Sequence, residues 1–186
     1  MENKLAVIFP GIGYHTDKPL LYYGKKLAKK YGYEILEISY GGFSKDIKGD
    51  REKMQETFKS ALAQTEAVLE KTEFTAYEKI LFLSKSVGTA VASAYAGRHG
   101  IEAAHIYFTP VLESFPFMEK KGIVFHGTAD PWAETEAVDQ GCEGLGLPLY
   151  KTEGANHSME TGDVKKDLEI LQEIMENCET FLQRLA

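Results

Sequence analysis

The chain has little cysteine. Two residues of 186, Cys142 and Cys178, stand far apart and without metal-ligand spacing. A disulfide frame is excluded on that count, and reduced thiols are expected. No surplus of positive charge exists either, with 21 Lys and Arg against 28 Asp and Glu and a net charge of -7. That balance argues against nucleic acid or an anionic membrane as partner. The basic clusters Lys25-Lys26 with Lys29-Lys30, and Lys165-Lys166, read as solvated helix faces. No apolar run reaches the roughly 18 residues that a membrane span needs. No signal-peptide pattern opens the chain, so a cytoplasmic protein is expected. None of the five histidines pairs with another or with a cysteine at metal spacing, so no metal is expected. Gly11-x-Gly13 lacks the third glycine and the later acidic partner of a dinucleotide fingerprint, and no cofactor is implied.

What is present is ordinary in amount and ordered in pattern. Hydrophobic residues make up 44% and charged residues 26%, as in a soluble globular protein. The length fits one domain, residues 1–186, with a sizeable core. Short apolar runs alternate with amphipathic stretches. Strands are expected at Leu5 to Phe9, Glu34 to Tyr40, Ile80 to Leu83, His105 to Phe108, Gly122 to His126 and Leu147 to Lys151. Helices are expected from Pro19 to about Tyr31, Arg51 to Lys71, Val87 to Arg98, Glu134 to Gly144 and Asp163 to Arg184, with a loop from Gly41 to Asp50. Strands alternating with helices imply an α/β fold: a three-layer α/β/α sandwich around a mostly parallel sheet of about six strands.

The chain is organised around Ile80-Leu81-Phe82-Leu83-Ser84-Lys85-Ser86-Val87-Gly88. An apolar strand runs into a turn of small residues, and the alanines from Ala90 to Ala96 favour a helix at once. A serine at the tip of such a turn projects above the sheet, at a helix amino end that favours developing negative charge. The plainer reading of Ser86 is an N-cap of that helix.

In parallel sheets chemistry collects in the loops after the strands. Four such loops stand out here: Gly11 to His15, Ser84 to Gly88, Thr128 to Trp132 and Gly154 to Ser158. They supply glycine-rich backbone, a serine, an aspartate and a histidine. Acyl transfer needs that set, because a serine hydroxyl is a poor nucleophile until an imidazole takes its proton. The imidazole needs a carboxylate in turn, and the tetrahedral intermediate needs backbone amide donors. Ser86 is the candidate nucleophile, His157 the base and Asp130 the acid.

The order serine, acid, histidine resembles that of the α/β-hydrolase family. Ser84-Lys85-Ser86-Val87-Gly88 is similar to that family's Gly-x-Ser-x-Gly elbow, with Ser84 in place of the first glycine. His126-Gly127-Thr128-Ala129-Asp130-Pro131 resembles its acid loop, and Gly154-Ala155-Asn156-His157 its histidine loop. The resemblance covers nearly the whole chain and implies a small member without a cap, its site open. It further implies an oxyanion hole from the backbone N–H of Val87 and of Ile12, with Gly13 as competitor for the second place.

Gly11, Gly13, Tyr14, His15, Phe43, Trp132 and Met159 are the candidate substrate-binding residues. His126 reads as a core or strand-end histidine. His99 and His105 belong at the far end of the sheet. Lys85 is expected to reach solvent or pair with a carboxylate, with no catalytic part. The expected function is hydrolysis of a small ester or thioester through an acyl-enzyme, by a monomer or homodimer. The alternative is a ligand-binding protein on the same fold that turns over slowly or not at all.

Overall fold

The computed structural model describes residues 2–43, 47 and 50–185. Six runs form strands: β1 (Lys4–Phe9), β2 (Tyr33–Glu37), β3 (Lys79–Lys85), β4 (Ala104–Phe108), β5 (Gly122–Gly127) and β6 (Leu149–Thr152). Five helices lie between and after them: α1 (Pro19–Lys30), α2 (Arg51–Leu69), α3 (Val87–His99), α4 (Thr135–Leu145) and α5 (Val164–Leu185). The strands join in one parallel sheet of order β2-β1-β3-β4-β5-β6. The chain therefore starts near the middle, runs to one edge at β2, and returns to build outward from β3. β1 and β3 flank the point where that direction reverses, where ligands bind in open α/β sheets.

Burial on both faces explains the unbroken apolar runs. Ala6, Ile8, Leu81, Leu83, Ile106 and Phe108 face one way and meet Leu20 and Leu21 of α1 and Ile170, Ile174 and Leu182 of α5. Leu5, Val7, Phe9 and Phe82 face the other way, onto Ala61 and Leu62 of α2 and Val91 and Tyr95 of α3. Tyr107 and Val124 continue that second face under Val138 and Cys142 of α4. Local signals mark the helix ends: Pro19 opens α1, and the Asp50 carboxylate accepts the Lys53 N–H at 3.1 Å to cap α2.

Some boundaries differ from the sequence expectation. β2 stops at Glu37 rather than Tyr40, although the Ile38 N–H still donates to the Ile8 carbonyl. Beyond it the chain leaves the sheet edge for α2, where the Gln64 amide bonds both the N–H and the C=O of Gly41. The loop expected up to Asp50 lies partly outside the described residues. β6 begins at Leu149 because Pro148 has no N–H to give; its carbonyl accepts from Val124. Single 3₁₀ turns at Phe74–Ala76 and Leu112–Ser114 were not legible in the pattern. Among the described residues no helix is long and apolar enough to cross a membrane.

His105, the second residue of β4, is a fully buried side chain with neither ring nitrogen hydrogen-bonded. It stacks on Tyr107, ring centroids 4.9 Å apart, and meets Phe82 edge-on at 5.4 Å. Burial, with a small push from Lys121, drives its imidazole down from 6.5 to about 3. The folded state thus binds this proton less readily than the unfolded chain, and stability falls as pH drops below about 6.5. The slope is about 1.4 kcal/mol per pH unit. Urea unfolding at pH 7 and pH 5 should therefore show His105→Leu losing about 2 kcal/mol less than the parent between the two. Equal losses would mean that His105 is not held neutral.

Candidate active site

The site begins with a strained serine. β3 ends at Lys85, α3 begins at Val87, and Ser86 joins them at φ 56° and ψ −126°. A side chain with a Cβ avoids that region, and holding it there costs on the order of 1–3 kcal/mol. Neighbours enforce it. The Ser86 N–H donates to the Phe108 carbonyl at 3.1 Å, and the Ser86 carbonyl accepts the N–H and hydroxyl of Thr89 at 2.9 and 2.6 Å. Ser84, where the first glycine of the elbow would stand, is fully buried, and its hydroxyl reaches the Ile106 carbonyl at 3.4 Å. Ser86 does not cap α3: its side chain makes no capping bond and points elsewhere.

It points to His157. The Ser86 Oγ lies 2.9 Å from His157 Nε2, and His157 Nδ1 lies 2.7 Å from Asp130 Oδ2. An ionised carboxylate can only accept, so Nδ1 carries the proton and Nε2 presents its lone pair to the serine hydroxyl. The other Asp130 oxygen accepts the Trp132 N–H at 2.8 Å. Burial pushes the Asp130 carboxyl up, but the His157 bond, the Trp132 amide and the Lys85 charge outweigh it and hold the group below its usual 3.8. His157 is pushed below 6.5, first by burial and then by Lys85 and His126, against the upward pull of Asp130.

The two loops that carry Asp130 and His157 are laced together. Thr128 and Ala129 donate N–H bonds to the carbonyls of Thr152 and Ala155, and the Thr128 hydroxyl accepts the Gly154 N–H at 2.8 Å. Gly127 permits this approach, since a Cβ there would stand 2.3 Å from the Ala155 oxygen. Asn156 ties the turn by accepting the N–H groups of Ser158 and Glu160, and the buried Thr109 hydroxyl holds the His157 carbonyl at 3.1 Å.

Candidate backbone donors lie at the start of α3 and in the turn after β1. Val87 is the first residue of α3, so its N–H has no helical carbonyl to reach. In the Gly11 to Tyr14 turn, the Gly11 N–H is taken by the Tyr14 carbonyl at 3.0 Å. Ile12 and Gly13 are left as the loop's candidate donors, Gly13 at φ 70°.

The expected pocket residues divide into three groups. Gly11, Gly13, His15 and Phe43 border one small cavity of about 150 Å³ beside Ile12, with Tyr40 as a further wall. Trp132 stands beside His157, exposed, with ring centroids 5.7 Å apart. Tyr14 and Met159 belong to the core instead. The Tyr14 hydroxyl turns inward to accept the Leu20 N–H at 3.1 Å. Met159, 2% exposed, borders a groove between α1 and α5.

No protein-family model matches the chain, and no curated protein sequence does. Its shape does have counterparts. Est1E from Butyrivibrio proteoclasticus, solved with ferulic acid bound, superposes with a TM-score of 0.73 at 15% identity, over 98% of this chain and 89% of that one. A lidless α/β serine hydrolase from Xanthomonas campestris gives 0.65 at 13% identity, covering 100% and 83%. An α/β serine hydrolase homologue from Coxiella burnetii gives 0.66 at 16%, covering 94% and 84%. The chain has the α/β-hydrolase fold.

Within this fold, three residues beside the Ser86–His157–Asp130 line were given no part in the sequence reading of it. Thr109 directly follows β4, and its φ of 41° is invisible in composition. His126, buried at the end of β5, bonds Thr135 through Nε2 and sets Nδ1 4.0 Å from Asp130 Oδ2. Lys85 corrects its expectation: it neither reaches solvent nor pairs with a carboxylate, being fully buried with no hydrogen-bond partner on Nζ. Asn156 had a usable signal, since asparagine two residues before a turn amide forms an Asx turn. Among the described residues, no three His, Cys, Asp or Glu side chains are grouped to hold a metal ion.

Proposed function

We propose that the protein is a serine hydrolase that cleaves a small ester or thioester through an acyl-enzyme. The observation that carries this reading is the unbroken line from Ser86 Oγ through His157 to Asp130, set at a strained strand-to-helix turn. His157 Nε2 takes the hydroxyl proton as Ser86 Oγ attacks the carbonyl carbon, and Asp130 stabilises the imidazolium that forms. The N–H groups of Val87 and Ile12 hold the oxyanion. The imidazolium gives its proton to the leaving alcohol or thiol, the acyl group stays on Ser86, and a water activated by His157 releases it. The chain is read as one domain without a cap, so the site opens to solvent and suits short acyl groups. Est1E was solved with an aromatic acid, and Trp132 and Phe43 offer aromatic walls here, which supports including aryl esters among the substrates tried.

Intact mass after exposure to a fluorophosphonate tests the reading, with peptide mapping to place the adduct. One adduct on Ser86 is expected. An unlabelled protein at every pH would leave a ligand-binding protein on the same fold as the better account. Labelling should also follow the protonation of His157. Because its basic form is the active one and its imidazole lies below 6.5, the rate should fall on acidification with a midpoint below 6.5. A midpoint above that value would contradict the proposed environment of His157.

A further inference from the structure

The side chain next to the nucleophile is the least expected one in the fold. Lys85 lies on the β3 face that Leu81 and Leu83 also occupy, a position where an aliphatic residue would pack without cost. Lysine is almost never fully buried without a partner, and an unpaired buried amine is penalised. Yet Lys85 is fully buried and its Nζ makes no hydrogen bond. Packing alone does not account for an amine there.

Its surroundings do give the amine a seat. Nζ stands 4.9 Å from the centroid of the Tyr14 ring, within cation–π range. Tyr14 is fixed by the Leu20 N–H on its hydroxyl, and burial raises its phenol to about 12, so it offers a neutral ring. Gly11 closes the loop over the lysine stem; a Cβ there would be 3.5 Å from Lys85 Cγ. The charged and titratable groups around this pocket come from three elements. They are Tyr14 after β1, Asp130 with His126 at the end of β5, and His157 after β6. Asp130 attracts the ammonium, whereas the ammonium repels a proton on His157. Glu160 acts on Tyr14. His126 is itself driven toward the neutral form by burial.

Resting on the reading of Ser86, His157 and Asp130 given above, we propose that Lys85 is a positioning residue of that line. Its buried ammonium, seated on Tyr14, keeps Asp130 ionised and His157 neutral in the acid range. The sign follows from the order of protonation. Burial lowers the Lys85 amine to about 7, so on acidification it is charged before His157 is. The one proton that His157 can take up must then be added beside an existing positive charge in a largely buried site. His157 stays a base at pH values where an isolated histidine would have become a cation. Above neutrality the amine is uncharged and the effect fades.

Lys85→Met keeps the length and apolar stem and removes the charge; Lys85→Leu, matching Leu83, serves if the first does not fold. The Cε1–H resonance of His157, identified among the five histidines by its loss in His157→Gln, is titrated by NMR in parent and variant. The acid limb of fluorophosphonate labelling is measured beside it. In the variant both midpoints should move upward by roughly 0.5–1 pH unit. A merely structural lysine would lower the labelling rate at all pH values and leave both midpoints in place, and that result overturns the proposal. If the parent does not label at any pH but the His157 midpoint still rises in Lys85→Met, the hydrolase reading fails and the electrostatic role of Lys85 stands.

Discussion

Ser86→Ala should lower ester hydrolysis by about 10⁴-fold or more and abolish the fluorophosphonate adduct, while the protein remains folded. The expected size follows from the way triad members act as a unit. Once the nucleophile is gone, the base and acid have no proton to move, and only oxyanion stabilisation and binding remain. The fold should tolerate the change because alanine keeps the Cβ against which Gly11 packs, at 3.1 Å from a Cβ built on that glycine. The strained φ of 56° is imposed by the Phe108 and Thr89 bonds to the Ser86 backbone, which alanine preserves. A melting temperature within about 3 °C of the parent is expected, from a stability change near 1 kcal/mol. Rates on a panel of acyl esters, with circular dichroism on the same samples, check both halves. Retained turnover in a folded variant would place the nucleophile elsewhere.

How much of this was legible beforehand varies with what decides each feature. The central strands were legible because burial on two faces leaves no room for polar alternation: Leu5 to Phe9 and Ile80 to Leu83 read as strands from composition alone. Their order was not, since nothing in either run says that β1 lies beside β3. Yet that neighbourhood brings the Gly11 turn against Ser86. Ser86, Asp130 and His157 could be singled out because each follows a strand that ends in small or turn-forming residues. The 2.7 and 2.9 Å bonds between them come from the lacing of the two later loops, through Thr128 and Gly127, and no spacing rule contains it. Tyr14 misled because a residue in a glycine turn reads as exposed, whereas this one folds back under its own loop to meet Leu20. Lys85 misled in the same way. A charge at a strand end normally escapes to water, and only the closure of the Gly11 to Tyr14 turn over the stem prevents it. Both errors share a cause: the short Gly11 to Tyr14 turn packs down onto neighbours that the residue pattern does not reveal.

The same packing makes Gly88 the position where a single methyl should do most damage. A Cβ built on Gly88 stands 2.4 Å from the Pro10 oxygen and 2.6 Å from the Phe9 oxygen. Both are backbone atoms at the end of β1 and cannot swing aside as a side chain would. Gly88→Ala must therefore push the start of α3 away from β1, and such overpacking costs about 3 kcal/mol. That corresponds to a fall of about 6–12 °C in melting temperature for a chain of this size. The displaced segments are the ones that carry the Val87 and Ile12 amides, so labelling of Ser86 should slow by about 10²-fold even where the protein is folded, as for the loss of one oxyanion donor. Gly97 supplies the control on the same helix, since a Cβ there meets nothing within 4 Å. Gly97→Ala should gain up to about 1 kcal/mol from helix propensity and leave labelling unchanged. If both variants melted alike, the glycine of the elbow would be a matter of helix propensity. A loss confined to Gly88 would mean that the nucleophile turn and the loop opposite it are held in register by backbone contact.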